Sequence, residues 1–381
     1  MVKRLKVGVV GIGFVGAAHV DAIRRIPYAE VIAVTSATQA RAQRHADELG
    51  IERAYGDYRE LLADPDVDVV HNCTPNVWHF PVNAATLRAG KACFSEKPLT
   101  MTAAEAAELV SIARETGVPS AVNFNHRGFP QVQEARALLA SGELGAVHAV
   151  HGSYLQDGSL LATDYGWRMD PSLGGQTRVV ADIGSHWMDL AQHVTGSRIV
   201  AVMADLGRLH GTRMRPEREE ITFARGSGPA GPATEMPIET EDFASALVRF
   251  ENGSRGAFTV SQVSAGRKNR LSLQIDGGQG AVSWCSEEGE MLWRGSRTEP
   301  ARVVQRNPRL ATMPALSRFP AGHAEGWPDA LANVIRGFYE QVRGEERRPW
   351  VASLEDGAYG MRLIEAILAS SRSEQWVRLE G

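Results

Sequence analysis

Residues 7–16 read Val-Gly-Val-Val-Gly-Ile-Gly-Phe-Val-Gly, an apolar run that breaks directly into three spaced glycines. Such a run is a strand, and the helix-compatible stretch Ala17–Ile23 behind it requires a tight turn between the two. Gly11 permits that turn, Gly13 lets a pyrophosphate approach the backbone, and Gly16 lets helix and strand pack closely. The start of the helix presents free N–H groups and a partial positive charge, which attract phosphate. The opening therefore reads as a dinucleotide-binding loop that includes Phe14 and Val15.

The pattern behind this loop alternates short β-like runs with longer helical ones. Strands are expected at Val31–Val34, Val67–Asn72, Ala92–Ser95 and Ser120–Phe124. Helices are expected to about Arg25 and over Gln39–Leu49, Tyr58–Leu62, Phe80–Ala89 and Ala103–Glu115. This alternation implies parallel strands with crossover helices, a doubly wound Rossmann sheet. After Asn125 the pattern changes. A helix at Pro130–Ser141 leads into β-like runs at Val147–Tyr154, Ile199–Asp205, Phe243–Phe250, Arg255–Val263, Leu271–Asp276 and Ala281–Trp284. Helices interrupt them only around Asp182–Thr195 and Pro328–Val342. Asn252-Gly253 signals a type I′ hairpin, and Ala224–Thr234 reads as a loop. The expected fold class is α/β, with two domains. Residues 1–125 form the dinucleotide-binding Rossmann domain, and residues 126–381 form an α+β domain with a large, open, mainly antiparallel sheet.

Composition narrows the function classes. A net charge of -4 gives no basic footprint for nucleic acid, and no apolar run approaches the roughly 18 residues of a membrane span. The chain enters a core strand at once, leaving no room for a signal peptide. Cys73, Cys93 and Cys285 lack paired metal spacing and read as reduced, structural thiols, with Cys73 inside a buried strand. Together these features fit a cytoplasmic protein without a metal site.

Two segments carry reactive groups. Glu96-Lys97-Pro98 follows a strand at the sheet edge where doubly wound folds bind ligands. There Lys97 is either a hydrogen-bond donor to a reacting oxygen or an exposed lysine at the start of a loop. Gly174-Gly175 precedes Asp182-Ile183-Gly184-Ser185-His186. If Asp182 begins a helix, His186 falls one turn later on the same face, and the carboxylate can orient the imidazole for proton transfer. The alternative is an N-cap aspartate beside a core histidine.

The ordered set of Gly-x-Gly-x-x-Gly, Glu96-Lys97-Pro98 and Asp182-x-Gly-x-His186 resembles the Gfo/Idh/MocA oxidoreductase family. Its members include inositol and sugar dehydrogenases and glucose–fructose oxidoreductase. The resemblance extends to the closing Ser353–Gly357 and Ile364–Ile367. It implies that Lys97, Asp182 and His186 are the catalytic residues. In that scheme His186 takes the hydroxyl proton, Lys97 polarises the same oxygen, and Asp182 anchors the substrate and tunes both. It places Cys73-Thr74-Pro75-Asn76, His79 and Glu96 beside the cofactor, and Asn125-His126-Arg127 and Trp167-Arg168 in the cleft. Asn125 and Arg127 are then expected on the substrate, and Trp167 and Arg168 near the nicotinamide. His323, Glu325 and Trp327 either close on a polyol or belong to an ordinary loop.

The second strand ends in Thr35-Ser36-Ala37-Thr38, without the carboxylate that usually binds a ribose 2′-hydroxyl. Ser36, Thr38 or Arg41 is available to a 2′-phosphate, so the cofactor is NAD(P), with a lean to NADP or to tolerance of both. The favoured activity is hydride transfer between nicotinamide and a secondary alcohol or ketone of a sugar, cyclitol or related polyol. Two alternatives remain: glycoside processing with tightly bound NAD in an internal redox cycle, and non-catalytic dinucleotide binding. The resemblance also implies a homodimer or homotetramer built on the antiparallel sheet.

Overall fold

A computed structural model describes residues 4–217 and 231–379. Six strands form the first sheet: β1 (Leu5–Val10), β2 (Ala29–Thr35), β3 (Arg53–Tyr55), β4 (Val69–Asn72), β5 (Ala92–Ser95) and β6 (Ser120–Val122). Between them run α1 (Phe14–Arg24), α2 (Gln39–Leu49), α3 (Tyr58–Ala63), α4 (His79–Arg88) and α5 (Ala103–Thr116). All neighbours are parallel, in the order β3-β2-β1-β4-β5-β6. The order reverses between β1 and β4, which opens a crevice at the carboxyl ends of those strands. The three half-buried residues of β3 are too few to give a periodic signal, and the sequence reading missed them. Cys73 lies one residue beyond β4 rather than inside a strand.

The rest of the chain comprises α6 (Pro130–Ala140), β7 (Val147–Leu155), α7 (Pro171–Gly174), α8 (Ser185–Thr195), β8 (Ile199–Gly207), β9 (Thr212–Pro216) and β10 (Ala233–Pro237). Then follow β11 (Phe243–Phe250), β12 (Arg255–Ser261), β13 (Arg270–Gly277), β14 (Ala281–Cys285), β15 (Met291–Gly295) and β16 (Arg302–Gln305). The chain ends with α9 (Trp327–Val342), α10 (Leu354–Ser373) and β17 (Val377–Arg378). Nine of these strands form one sheet, β16-β15-β14-β13-β7-β12-β11-β8-β17, antiparallel except where β7 meets β12. Alternation along β11 shows how it is layered. Ala244, Ala246, Val248 and Phe250 are buried against the helices, while Phe243, Ser245 and Leu247 face outward.

Four expectations are corrected here. Helices are not confined to the two expected places: α10 is a twenty-residue helix started by a Ser353–Asp356 capping box. Ala233 and Thr234, read as loop, begin β10 and pair with β9; residues 224–230 lie outside the described residues. The Asn252-Gly253 turn is not type I′, since Gly253 has a positive φ and Asn252 does not. Gly253 N–H donates to Phe250 O and Phe250 N–H to Ser254 O, giving a three-residue loop with a bulge at Gly253. Finally, α9 leaves the second sheet and returns to the first. Its Leu331, Val334, Ile335 and Phe338 pack with Val7, Val9, Val20 and Ile23 in one core, and Arg25 of α1 pairs with Asp329 at 3.0 Å.

Candidate active site

The glycine loop has the geometry that its spacing requires. Gly11 has a φ of +89°, and a Cβ on Gly16 would lie 2.1 Å from the Gly11 carbonyl oxygen. Gly13 is exposed, and a Cβ there would meet no protein atom within 4 Å. Gly13 also precedes α1 with no side chain capping the helix. An open backbone face beside uncapped N–H groups fits the pyrophosphate of a dinucleotide. Val15 is half-buried in the first turn of α1. Phe14 is exposed and stacks on Trp327, with ring centroids 6.1 Å apart.

At the end of β2 the chain turns through half-buried Ser36 to Thr38, whose hydroxyl caps α2 by accepting the Arg41 N–H at 3.3 Å. The loop after β4 is tied across the crevice. The Asn76 amide donates to Gly174 O at 2.8 Å, and the Thr74 hydroxyl to Asn72 Oδ1 at 2.7 Å; Pro75 lies between them. His79, expected on the cofactor, is instead fully engaged by protein. Its Nδ1 lies 2.6 Å from Pro98 O and its Nε2 2.9 Å from Thr74 O, so the ring joins two loops.

Lys97 stands just past β5, and its peptide bond to Pro98 is cis. Its Nζ donates to both the carbonyl oxygen and Oδ1 of Asp182, each at 2.8 Å. Arg168 Nε lies 3.2 Å from the same Oδ1, and Gln262 donates to Oδ2 at 2.8 Å. Burial works against the charge on Asp182, but Arg168 and Lys97 outweigh it and hold the carboxyl well below the usual carboxylate range. The Arg168 guanidinium also lies over the Trp167 ring, 4.5 Å from its centroid. Behind Lys97, the buried Glu96 carboxylate accepts the Lys97 N–H at 3.2 Å, His19 Nε2 at 3.1 Å and the Asn123 amide. Glu96 is thus a support beneath the lysine.

His186 lies in the first turn of α8, 6% exposed, between Phe124 and Tyr154. Burial, with Lys97 and His126 nearby, pushes its pKa well below the ordinary histidine value, against an opposing pull from Asp182. Asp182 neither begins an α-helix nor caps one. It sits in a single π-helical turn, Val180–Gly184, that runs into α8. Its carboxylate faces Lys97, and among the described residues the hydrogen-bond partner of His186 is His126 Nδ1, at 3.4 Å. Lys97, Asp182 and His186 therefore gather in one buried place, but not with the expected pairing. π-turns recur at functional sites because the extra residue re-aims side chains.

Two expectations are not met as written. Arg127 is engaged by two carboxylates of the protein. Its Nε and Nη2 donate to buried Asp189 at 2.9 and 2.5 Å, and its Nη1 to half-buried Asp356 at 3.2 Å. His323, Glu325 and Trp327 do not form one set. His323 is exposed, Glu325 accepts the Arg318 and Phe319 N–H groups at 2.7 Å each, and Trp327 lies on Phe14. Asn125 is 4% exposed and its Oδ1 has no protein donor among the described residues, so it remains available to a ligand. Neither Gln262 nor the contact of His126 with His186 is legible in the sequence. A lone glutamine after a strand carries no signal of its partner 80 residues away.

Residues 5–124 match the family model described as an oxidoreductase family with an NAD-binding Rossmann fold. Residues 132–283 match the one described as the GFO/IDH/MocA C-terminal domain. The chain is 27% identical to levoglucosan dehydrogenase of Pseudarthrobacter phenanthrenivorans over 394 aligned positions, covering 98% of each. It is 25% identical to myo-inositol 2-dehydrogenase of Thermotoga maritima, covering 99% of each. A levoglucosan dehydrogenase solved in complex with NADH and L-sorbose superposes with a TM-score of 0.89 at 26% identity, covering 99% of both chains.

Proposed function

The chain belongs to the Gfo/Idh/MocA oxidoreductases, and from that premise we propose that it passes hydride between a nicotinamide and a ring secondary alcohol of a sugar, anhydrosugar or cyclitol. The observation that carries this reading is the meeting of Lys97 Nζ, the Asp182 carboxylate and the His186 ring at the carboxyl edge of a parallel sheet. Relatives named for levoglucosan and myo-inositol support the substrate class.

Gly13 and the first turn of α1 would hold the pyrophosphate, and Thr74 to Asn76 would line the nicotinamide side. The bound dinucleotide supplies the hydride acceptor. In the oxidation, Lys97 donates a hydrogen bond to the substrate oxygen, and Asp182 keeps its side chain aimed. His186 is neutral and buried, so it can take the hydroxyl proton as the carbon loses hydride. Asn125 Oδ1 and Arg168 are candidate contacts for neighbouring hydroxyls. The end of β2 has no carboxylate to repel a 2′-phosphate, so the site should accept NADP as well as NAD, with a lean to NADP. Residues 1–125, completed by α9, would hold the dinucleotide. The second sheet would bind substrate and carry homo-oligomer contacts through exposed Met203, Phe243 and Leu247. The reading is of a cytoplasmic enzyme.

The test is the near-ultraviolet absorbance of reduced nicotinamide, followed with levoglucosan, myo-inositol and a set of monosaccharides, each with NAD and NADP. Reduction with one polyol, abolished in Lys97→Met, supports the reading. Failure of the chain to bind either dinucleotide would overturn it.

A further inference from the structure

A histidine that moves protons needs a neighbour that decides which ring nitrogen carries the hydrogen. Asp182 does not serve His186 in this way, because Lys97, Arg168 and Gln262 occupy its oxygens. What faces His186 is His126, from the short helical turn Asn125–Gly128 after β6. The two Nδ1 atoms are 3.4 Å apart, with ring centroids at 4.8 Å and planes at 74°. That separation is long for a hydrogen bond, as is common in sites that tighten around a reactant.

His126 is only 2% exposed. Phe129 stacks against it at 6.0 Å, and Tyr154 and Trp284 meet it edge-on at 5.6 and 6.4 Å, so its ring is fixed on three sides. Burial first, and then the Lys97 charge, push its pKa down to about 3. Both rings are therefore neutral, and each carries one N–H. Two Nδ1 atoms that face each other can be joined only if one donates and the other accepts.

We propose that His126 is a positioning residue, whose Nδ1 accepts the Nδ1–H of His186 and so leaves the Nε2 lone pair of His186 directed at the substrate oxygen. The inference rests on the reading of His186 as the proton acceptor. A neutral acceptor differs from the carboxylate usual in this position. It fixes direction and tautomer without adding negative charge, so His186 stays uncharged beside Lys97 and Asp182 until the reaction delivers its proton.

The test is nitrogen NMR of histidine-labelled full-length protein without dinucleotide, which separates protonated from bare ring nitrogens. It is run on the wild type, His126→Phe and His126→Asn. In the wild type His186 should be protonated at Nδ1 and His126 at Nε2. The phenylalanine variant should lose the single His186 tautomer, and the asparagine variant, whose amide can replace Nδ1, should keep it. With an active polyol, kcat should fall about tenfold to a hundredfold in the phenylalanine variant. It should stay within about threefold of wild type in the asparagine variant, with KM and dinucleotide affinity little changed in either. A wild type with His126 protonated at Nδ1, an unchanged His186 tautomer in the phenylalanine variant, or equal loss of kcat in both variants would overturn the proposal. If no polyol is turned over, the NMR arm still tests His126, so the two readings fail separately.

Discussion

Mild acid should destabilise this protein through its buried histidines. His71, His126, His186 and His193 are between 0% and 8% exposed, and burial pushes the pKa of each below the ordinary histidine value. Their contacts fit the neutral form. His71 lies between His19 Nδ1 at 2.9 Å and the Tyr339 hydroxyl at 2.8 Å, and His193 Nε2 faces the Gln133 amide at 2.8 Å. In the unfolded chain these rings titrate near pH 6.5. Their contribution is thus present above that value and is lost as pH falls toward the folded pKa. For His126, with a folded value of about 3, going from pH 7 to pH 5 removes about 2 kcal/mol. His71, His186 and His193 act in the same direction. Asp189 works the other way: burial raises its carboxyl to about 6, and it returns about 1 kcal/mol over the same interval. A net loss of this order is a large part of the roughly 5–15 kcal/mol that holds a domain together. Urea unfolding followed by tryptophan fluorescence at pH 7, 6 and 5 measures this directly. His126→Asn should flatten the dependence by about 1 kcal/mol per pH unit between pH 6 and 5. Stability that holds constant or rises from pH 7 to pH 5 would refute the assignment of neutral buried histidines.

Three substitutions test other parts of the account. Lys97→Met should lower turnover at least about a hundredfold while dinucleotide affinity stays within about threefold, measured by steady-state rates and fluorescence titration. Gly16→Ala would place a methyl 2.1 Å from the Gly11 carbonyl oxygen, so dinucleotide binding should be lost while circular dichroism still reports a folded chain. Arg127→Met strands Asp189 without its bidentate partner and should cost about 3–5 kcal/mol in urea unfolding. An Arg127 variant of unchanged stability and raised KM would instead restore that residue to the substrate.

The elements most legible in the sequence are those in which hydrophobic period and end signals agree. Gln39–Leu49, between Thr38 and Gly50, and Phe243–Phe250, whose buried and outward positions alternate, have the expected boundaries. The three-residue β3 offers no period to read, and α10 coincides with motifs whose family resemblance overshadows its helical pattern. At the site, Lys97 and Asp182 were visible as types in a motif, and the structure brings them together. Their true pairing was not visible, because only α-helical spacing would set His186 beside Asp182, and the chain takes a π-turn there. Arg127 was misjudged for a related reason. An arginine in a cleft motif looks like a ligand donor until Asp189 and Asp356, 62 and 229 residues away, are found on its guanidinium.

The return of α9 to the first sheet sets the order in which the molecule can be finished. Residues 1–125 leave the ribosome early, yet the seam on α1 that receives Leu331, Val334, Ile335 and Phe338 stays uncovered until α9 emerges. At ordinary rates of synthesis that wait is on the order of ten seconds or more. The half made first is therefore completed nearly last. A chain cut short anywhere before α9 would leave that apolar seam open to water, in the half of the molecule that was made first.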